Sequence, residues 1–205
     1  MKKLILLLLL LSSMLLFASD LSFSGGKSSL SLKEGKEEVV LSDGAYVAVD
    51  DIRIESNKII LKRSGWTEVT CEGKTVIEDL KNMLEIRCSG LWFDRNEERI
   101  LVSGWFEIDD SKNELSATGS SLEFDMKAER LIIDKDVTLL KITDNGVMKC
   151  KAESVIFDRA NQKLSLRGNA SVIWNGDEYY AEAISVNLET ETISLDGRIK
   201  GSING

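Results

Sequence analysis

A repeating pattern of short alternating runs, separated by turn sequences, constrains this chain more than any other feature. The stretch 155–197 reads VIFDRANQKLSLRGNASVIWNGDEYYAEAISVNLETETISLDG, a series of strands broken by turns and glycines. Val155 and Phe157 share one face because side chains alternate along a strand. Asn175-Gly176 suits a tight hairpin that needs positive φ. One such unit cannot bury its apolar face alone, so the pattern predicts stacked units.

The repeat is visible along most of the chain when one apolar position in each unit is taken as an anchor. Each anchor is followed by Asp or Glu and preceded, two residues earlier, by another apolar residue. The anchors are Ile54, Phe93, Phe124, Phe157 and Leu188, and they are 39, 31, 33 and 31 residues apart. Turn sequences such as Lys81-Asn82 and Lys112-Asn113 fall eleven residues before their anchors. Turn chemistry thus recurs in phase with the apolar pattern.

Two positions depart from the repeat. The 39-residue interval predicts an insertion around Val69 to Glu78, expected as a longer hairpin that projects from the stack near Cys71. Lys135 stands where Gly104 and Gly168 stand in neighbouring units, eleven residues after their anchors. The geometry of the chain at Lys135 is therefore an open question at the level of sequence.

Strict alternation between apolar and polar residues predicts an all-β protein whose strands have one buried and one wet face. Stacked hairpin units give an elongated structure, either a folded-over sheet or a jelly-roll-like solenoid, with an apolar trough along its length. Such a structure has two ends, expected near Ser29–Leu32 and within Ser185–Ile203. Each end presents an unpaired strand edge that is a template for another chain.

The first residues have the layout of a secretory signal peptide. Lys2 and Lys3 precede an apolar run that ends at Ala18-Ser19. We therefore expect a signal peptide at residues 1–19, a single β domain at residues 20–205, and export, with an uncleaved membrane anchor as the alternative. Loss of Lys2 and Lys3 changes the formal charge from −8 to −10. This negative surface disfavours nucleic acid as a partner.

The chain resembles the LptA/OstA-like family of lipopolysaccharide transport proteins. The resemblance is carried by LSLRGNASVIWNGDEYYAEAISVNLETETISLDGRIKG and by SLSLKEGKEEVVLSDGAYVAVDDIRIESNKIIL. It implies a β-taco or β-jelly-roll fold in the periplasm that carries lipopolysaccharide, or a similar glycolipid, with its acyl chains in an apolar groove. It also implies strand pairing with an inner-membrane LptC-like domain and an outer-membrane LptD-like domain, and head-to-tail homo-oligomers.

The interior positions of the repeat are the candidate lipid-binding residues, and a self-filled core is the alternative, because alternation does not distinguish the two. The candidates are Ile54, Leu61, Leu91, Phe93, Ile100, Val102, Leu122, Phe124, Leu131, Ile133, Val155, Phe157, Leu164, Leu166, Val186 and Leu188. A structural exported β-solenoid without a lipid ligand is the second hypothesis for function. An enzyme acting on cell-wall glycans is a weaker third, since no suitable pair of carboxylates stands out.

No catalytic residue, metal site or cofactor is predicted. The chain has no His, which removes the commonest general base and transition-metal ligand. The acid pairs Asp50-Asp51, Asp109-Asp110 and Asp177-Glu178 are expected in solvated turns rather than as metal or catalytic sites. Cys71 and Cys88 flank the expected insertion and are the candidate disulfide, which an oxidising compartment would permit. Trp66 and Trp105 are expected on the outer face.

Overall fold

The computed structural model describes residues 21–62 and 65–204, which form fourteen β-strands. The strands are β1 Leu21–Ser24, β2 Lys27–Ser31, β3 Glu38–Val49, β4 Ile52–Lys62, β5 Glu68–Asp79, β6 Leu84–Asp94, β7 Arg99–Asp110, β8 Leu115–Asp125, β9 Arg130–Thr143, β10 Gly146–Asp158, β11 Lys163–Trp174, β12 Asp177–Asn187, β13 Thr192–Asp196 and β14 Lys200–Ser202. The predicted signal peptide lies outside the described residues. Within them, no helix is long and apolar enough to cross a membrane.

All fourteen strands belong to one antiparallel sheet, which confirms the all-β prediction. The strand order is β1-β3-β4-β5-β6-β7-β8-β9-β10-β11-β12-β13, with β2 beside β3 and β14 beside β12. From β3 to β13 each strand pairs with the next one along the chain, as expected for hairpins joined by short turns. The two hairpins predicted at Lys81-Asn82 and Asn175-Gly176 are present.

The long strands shift register near their middle, and this line of irregularities folds the sheet. Between β7 and β8 the shift lies between Ser103 and Phe106, and equivalent shifts occur in the other pairs of long strands. Gly104 has φ of 108° at this line and Gly168 has φ of 75°. Lys135 occupies the same line with φ of 67°. It therefore takes the left-handed conformation of the glycines it replaces, at a cost that glycine avoids.

The turns fall alternately on two rims of the folded sheet. We define rim A as residues 50–51, 80–83, 111–114, 144–145 and 175–176, and rim B as residues 65–67, 95–98, 126–129, 159–162 and 188–191. Hydrogen bonds and ion pairs join the rims, including Arg95 to Asp50 at 3.2 Å and Gln162 to Asn113 at 2.7 Å. The sheet is thus doubled over along the register-shift line until its two rims meet.

The predicted insertion near Cys71 is wrong. Strand β5 pairs with β4 and β6 along its length, and the register aligns Leu61 with Val69 and Val69 with Phe93. The true counterpart of Phe93 in β4 is therefore Leu61, 32 residues earlier, and the spacing is regular. The anchor Ile54 was misplaced because period-two alternation is the same at both ends of a long strand.

The interior is one continuous apolar cluster between the two halves of the folded sheet. Buried residues extend from Val39 in β3 to Val186 in β12. Phe106, Phe124 and Phe157 are among its largest fully buried side chains. Fully burying each such ring stabilises the fold by roughly 1.5–3 kcal/mol relative to leaving it exposed. Stability therefore comes mainly from this shared interior rather than from any single hairpin.

Both ends of the sheet are free edges, as predicted, although the C-terminal one is narrower than expected. Among the residues that the structure describes, strands β1 and β2 pair only with β3, while β13 and β14 pair only with β12. Strand β12, which holds Val186, is paired on both sides and is not an edge. Glycine divides each edge into two segments, at Gly25-Gly26 and at Gly197.

Candidate functional site

The structure brings the sixteen candidate residues together on the inner face of the folded sheet. Fifteen of them are buried, and Leu188 is partly buried against the same cluster at the end of β12. The register connects Phe93 to Ile100, Ile100 to Phe124, Phe124 to Leu131 and Leu131 to Phe157. The aromatic side chains therefore alternate with aliphatic ones in a row that crosses five strands near rim B. In the structure this interior is filled by its own side chains.

The turns at the rims are built by strand-final Asp residues. Asp79 accepts a hydrogen bond from the backbone N–H of Asn82, and Asp110 accepts one from the N–H of Asn113. Asp158 does the same with Asn161, whose side-chain hydrogen bond lowers the pKa of that carboxyl. These Asp residues close the turn in place of a backbone carbonyl. This is the structural reason that acids follow the apolar anchors at Phe93, Phe124 and Phe157.

Asp110 and Arg159 form a buried ion pair between the rims. Nε of Arg159 donates to Asp110 Oδ2 at 2.7 Å, and Nη2 donates to Asp110 Oδ1 at 3.1 Å. Nη2 also donates to the backbone oxygen of Asn82 at 2.9 Å. Gln162 donates to Asn113 Oδ1 beside the ion pair at 2.7 Å. We call these five residues the rim latch.

Every buried polar side-chain atom of the rim latch has a hydrogen-bond partner. Both ionised side chains, those of Asp110 and Arg159, are 0% exposed. Among the described residues, no buried side-chain nitrogen or oxygen lacks a hydrogen-bond partner. Burying two charges is costly in itself, and a bidentate geometry with further hydrogen bonds is what offsets that cost.

The rims leave a small cleft near the N-terminal end of the molecule. It has a volume of about 230 Å³ and lies between rim A at Asp50 and Asn82 and rim B at Arg95. Phe93 and Met126 contribute its apolar lining. Phe93 belongs to the aromatic row, so the cleft borders that part of the interior.

No described residue covers the inner face at either end of the sheet. Phe23 pairs with buried Val47, and Leu30 pairs with buried Val39, so both point to the inner side. They are nevertheless 48% and 59% exposed. At the other end Ile199 and Ile203 are 59% and 76% exposed. The apolar interior therefore ends in two surfaces that another protein surface is able to cover.

Comparison with solved structures finds several similar chains. One of them is LptH from Pseudomonas aeruginosa, the LptA homologous periplasmic component of the conserved lipopolysaccharide transport device. The two chains are 14% identical, the alignment covers 91% of this chain and 96% of that chain, and the TM-score is 0.28. No family model and no curated protein matches the chain.

The cysteines are buried free thiols. The register places Cys71 opposite Leu91 and Cys88 opposite Thr75, on either side of the register shift. Contrary to the predicted pairing, Cys71 and Cys88 do not lie directly opposite each other. No disulfide joins them in the structure. Burial raises the pKa of both thiols, and the nearby Cys88 raises that of Cys71 further. Burial also raises the pKa of Cys150 to about 12.

The tryptophans divide between two environments. Trp105 is on the outer face, as predicted, and is 59% exposed. Trp66, by contrast, packs against the core from the rim B turn, so its outer placement was wrong. The outer placement of Trp66 assumed that strand alternation continues through this segment. Residues 65–67 form a turn rather than a strand, and alternation does not extend through turns.

One residue of the predicted acid pairs, Asp110, is buried rather than solvated. Asp50-Asp51 lies in an exposed turn as expected, but Asp110 is buried in the rim latch while its neighbour Asp109 is exposed. Arg159, the partner of Asp110, had not been singled out at all. The available signal was the pattern Asp-x-x-Asn at 79–82, 110–113 and 158–161, which marks the turns that form the latch. In the described part of the chain, no group of three His, Cys, Asp or Glu side chains is placed to hold a metal ion.

Proposed function

We propose that this protein is a non-enzymatic carrier of an anionic glycolipid, lipopolysaccharide or a close relative, whose acyl chains enter the interior of the folded sheet. The observation that supports the proposal is the continuous apolar inner face, which runs from β3 to β12 and which no described residue covers at either end. Each buried CH₂ of an acyl chain contributes about 0.8 kcal/mol, so one chain provides useful affinity. The resemblance of the sequence to the LptA/OstA-like family points the same way.

In this proposal the acyl chains, and not the head group, provide the binding free energy. The protein carries a formal charge of −8, and phosphorylated glycolipids are also anionic. Coulomb attraction between the two is therefore unfavourable at long range. The phosphates are expected to stay in solvent or to be bridged by divalent cations, outside the apolar interior.

The proposed carrier works in the periplasm as a bridge between two membranes. The free edges at β1–β2 and at β13–β14 would pair with edge strands of an LptC-like domain on one side and an LptD-like domain on the other. Strand addition of this kind uses backbone hydrogen bonds that an edge already offers. Copies of this chain would join head to tail through the same two edges.

A photo-crosslinking experiment tests the lipid proposal. A photoreactive residue at Phe124, in the centre of the aromatic row, is expected to capture glycolipid in cells. The matched control is Glu123, which neighbours Phe124 on β8 but points to the outer face. Capture at Phe124 but not at Glu123 supports the carrier. Equal labelling at both positions, or none at Phe124 in a folded protein, rejects it.

A structural exported β-solenoid that assembles end to end is the second candidate, and one observation favours it. The described interior is closed, because the candidate residues are packed against one another and the rims meet above them. A scaffold needs only its two ends and a stable core. Lipid extraction from purified protein followed by mass analysis separates the two: a scaffold yields no stoichiometric lipid under conditions in which it still assembles.

A further inference from the structure

The interior of the protein lies behind the line along which the two rims meet. A ligand that enters from the side must part the rims, because the walls of the folded sheet are continuous hydrogen-bonded strands. Several rim contacts are exposed, such as Lys112 to Glu129 at 3.5 Å and Asn145 to Glu191 at 3.3 Å. Exposed pairs of this kind each contribute little to holding two surfaces together.

The rim latch differs from these contacts because its central ion pair, Asp110 with Arg159, is fully buried. Arg159 also lies 3.7 Å from the partly exposed carboxylate of Glu129. Asp110 is the last residue of β7, directly before the rim A turn 111–114, and Arg159 belongs to rim B. The two residues are 49 positions apart in the sequence. The latch has two favourable states. In the closed state each charge has its partner, and in the open state water hydrates both charges. An intermediate in which the charges are separated but still dry is strongly disfavoured, so the rims either meet or part.

We propose that the Asp110–Arg159 pair is a latch that holds the trough closed at its middle, and that its release opens the interior laterally to acyl chains. The inference rests on the proposed carrier function for the identity of the ligand, whereas the opening itself is a property of this chain alone. The neighbouring pair Gln162–Asn113 follows the same rims and adds a neutral hydrogen bond to the latch. Arg159 acts by positioning the rims and is not placed in contact with the acyl chain.

The native thiol of Cys150 provides a readout of opening. It is fully buried on the inner face of β10, so a maleimide reaches it only when the interior opens. In the purified protein at neutral pH, Arg159→Met is expected to raise the labelling rate of Cys150 by about tenfold or more, since one buried charge loses its partner. Peptide mass mapping distinguishes Cys150 from the other two thiols.

The matched control is Arg87→Met. Arg87 also forms a close ion pair with an Asp, at 2.8 Å to Asp109, but that pair is exposed and lies on the outer face of neighbouring strands. Its loss is expected to leave the labelling rate of Cys150 unchanged. For Arg159→Met, labelling must also be faster than the global unfolding rate of the same variant, measured by denaturant jump. Labelling that merely follows global unfolding rejects the latch.

The double variant Arg159→Met with Asp110→Asn keeps the test decisive if the single variant does not fold, because the amide oxygen of the new side chain still accepts the turn hydrogen bond from the N–H of Asn113. Neutral residues replacing a buried ion pair leave no charge without a partner and no ion hydration to gain on opening. The double variant is therefore expected to fold and to label at Cys150 more slowly than the wild type. Labelling equal to or faster than wild type overturns the proposal. If Phe124 captures no lipid while the labelling rates of Cys150 are as expected, only the carrier function is rejected. If Phe124 captures lipid while the labelling rates of Cys150 are not as expected, only the latch is rejected.

Discussion

The guanidinium carbon of Arg159 lies 5.8 Å from the centroid of the Phe124 ring. The rim latch therefore rests directly on the aromatic row of the core, and a cation over a ring face is attracted by the ring quadrupole. This contact links the polar closure of the rims to the packing beneath it. The effects of substituting Arg159 and Phe124 on the free energy of unfolding are therefore expected not to add. A double-mutant cycle should give a coupling free energy of about 0.5–3 kcal/mol.

Neighbouring aromatic residues on β7 are expected to respond very differently to truncation. Phe106 is fully buried and Trp105, the residue before it, is on the outer face. Phe106→Ala should lower the free energy of unfolding by about 3–5 kcal/mol, because it leaves a cavity in the core. Trp105→Ala should change it by no more than about 0.5 kcal/mol. Urea unfolding measures both, and similar losses for the two variants would contradict the assignment of faces.

Replacement of Lys135 by glycine is expected to stabilise the protein. Lys135 has φ of 67° on the line where the sheet folds, and glycine adopts this conformation without steric cost. The free energy of unfolding should rise by up to about 1 kcal/mol once the greater freedom of glycine in the unfolded chain is subtracted. Lys149→Gly, in a regular part of β10, is the control and should lose about 0.5–1 kcal/mol. Equal losses for both would show that Lys135 is not strained.

Charges placed at the uncovered C-terminal end should weaken self-association. Ile199→Asp combined with Ile203→Asp puts two carboxylates on the apolar end surface, and desolvating them opposes contact with another copy. Sedimentation velocity of the wild type is expected to show a mass that grows with concentration, while the variant stays monomeric. Ile142→Asp is the control, since Ile142 is similarly exposed, at 56%, but lies away from the two ends. A wild type that is monomeric at every concentration would refute end-to-end assembly.

The thiol of Cys150 predicts a loss of stability at alkaline pH. Burial raises its pKa from 9.0 to about 12, so between these values the unfolded chain releases a proton that the folded chain retains. The free energy of unfolding therefore falls as pH rises through this window, and it is unaffected by this group below it. Cys150→Ala should flatten the slope between pH 9 and 11 relative to wild type, measured by urea unfolding at each pH. An unchanged slope would mean that the thiol is solvated.

The sequence by itself determined the strands, most of the turns and which residues face inward. These properties are local: period-two alternation sets the two faces of a strand, and Asp, Asn and Gly favour turns through their own backbone contacts. Hence Phe124 and Glu123 were assigned to opposite faces, and Lys81-Asn82 to a hairpin, without any tertiary information. The same local rules misplaced Ile54, because they carry no information on the distance of a residue from the end of its strand.

Only the tertiary structure decided the register between strands, the meeting of the rims and the burial of Asp110 with Arg159. Asp110 and its exposed neighbour Asp109 carry the same side chain, so the sequence does not distinguish them. Their environments differ because the sheet folds over and brings Arg159, 49 residues further along the chain, against Asp110. Contacts between residues so far apart in the sequence depend on where the register shifts fall in every intervening strand. The closing of the trough is thus a property of the whole folded sheet, whereas its apolar lining is a property of each strand.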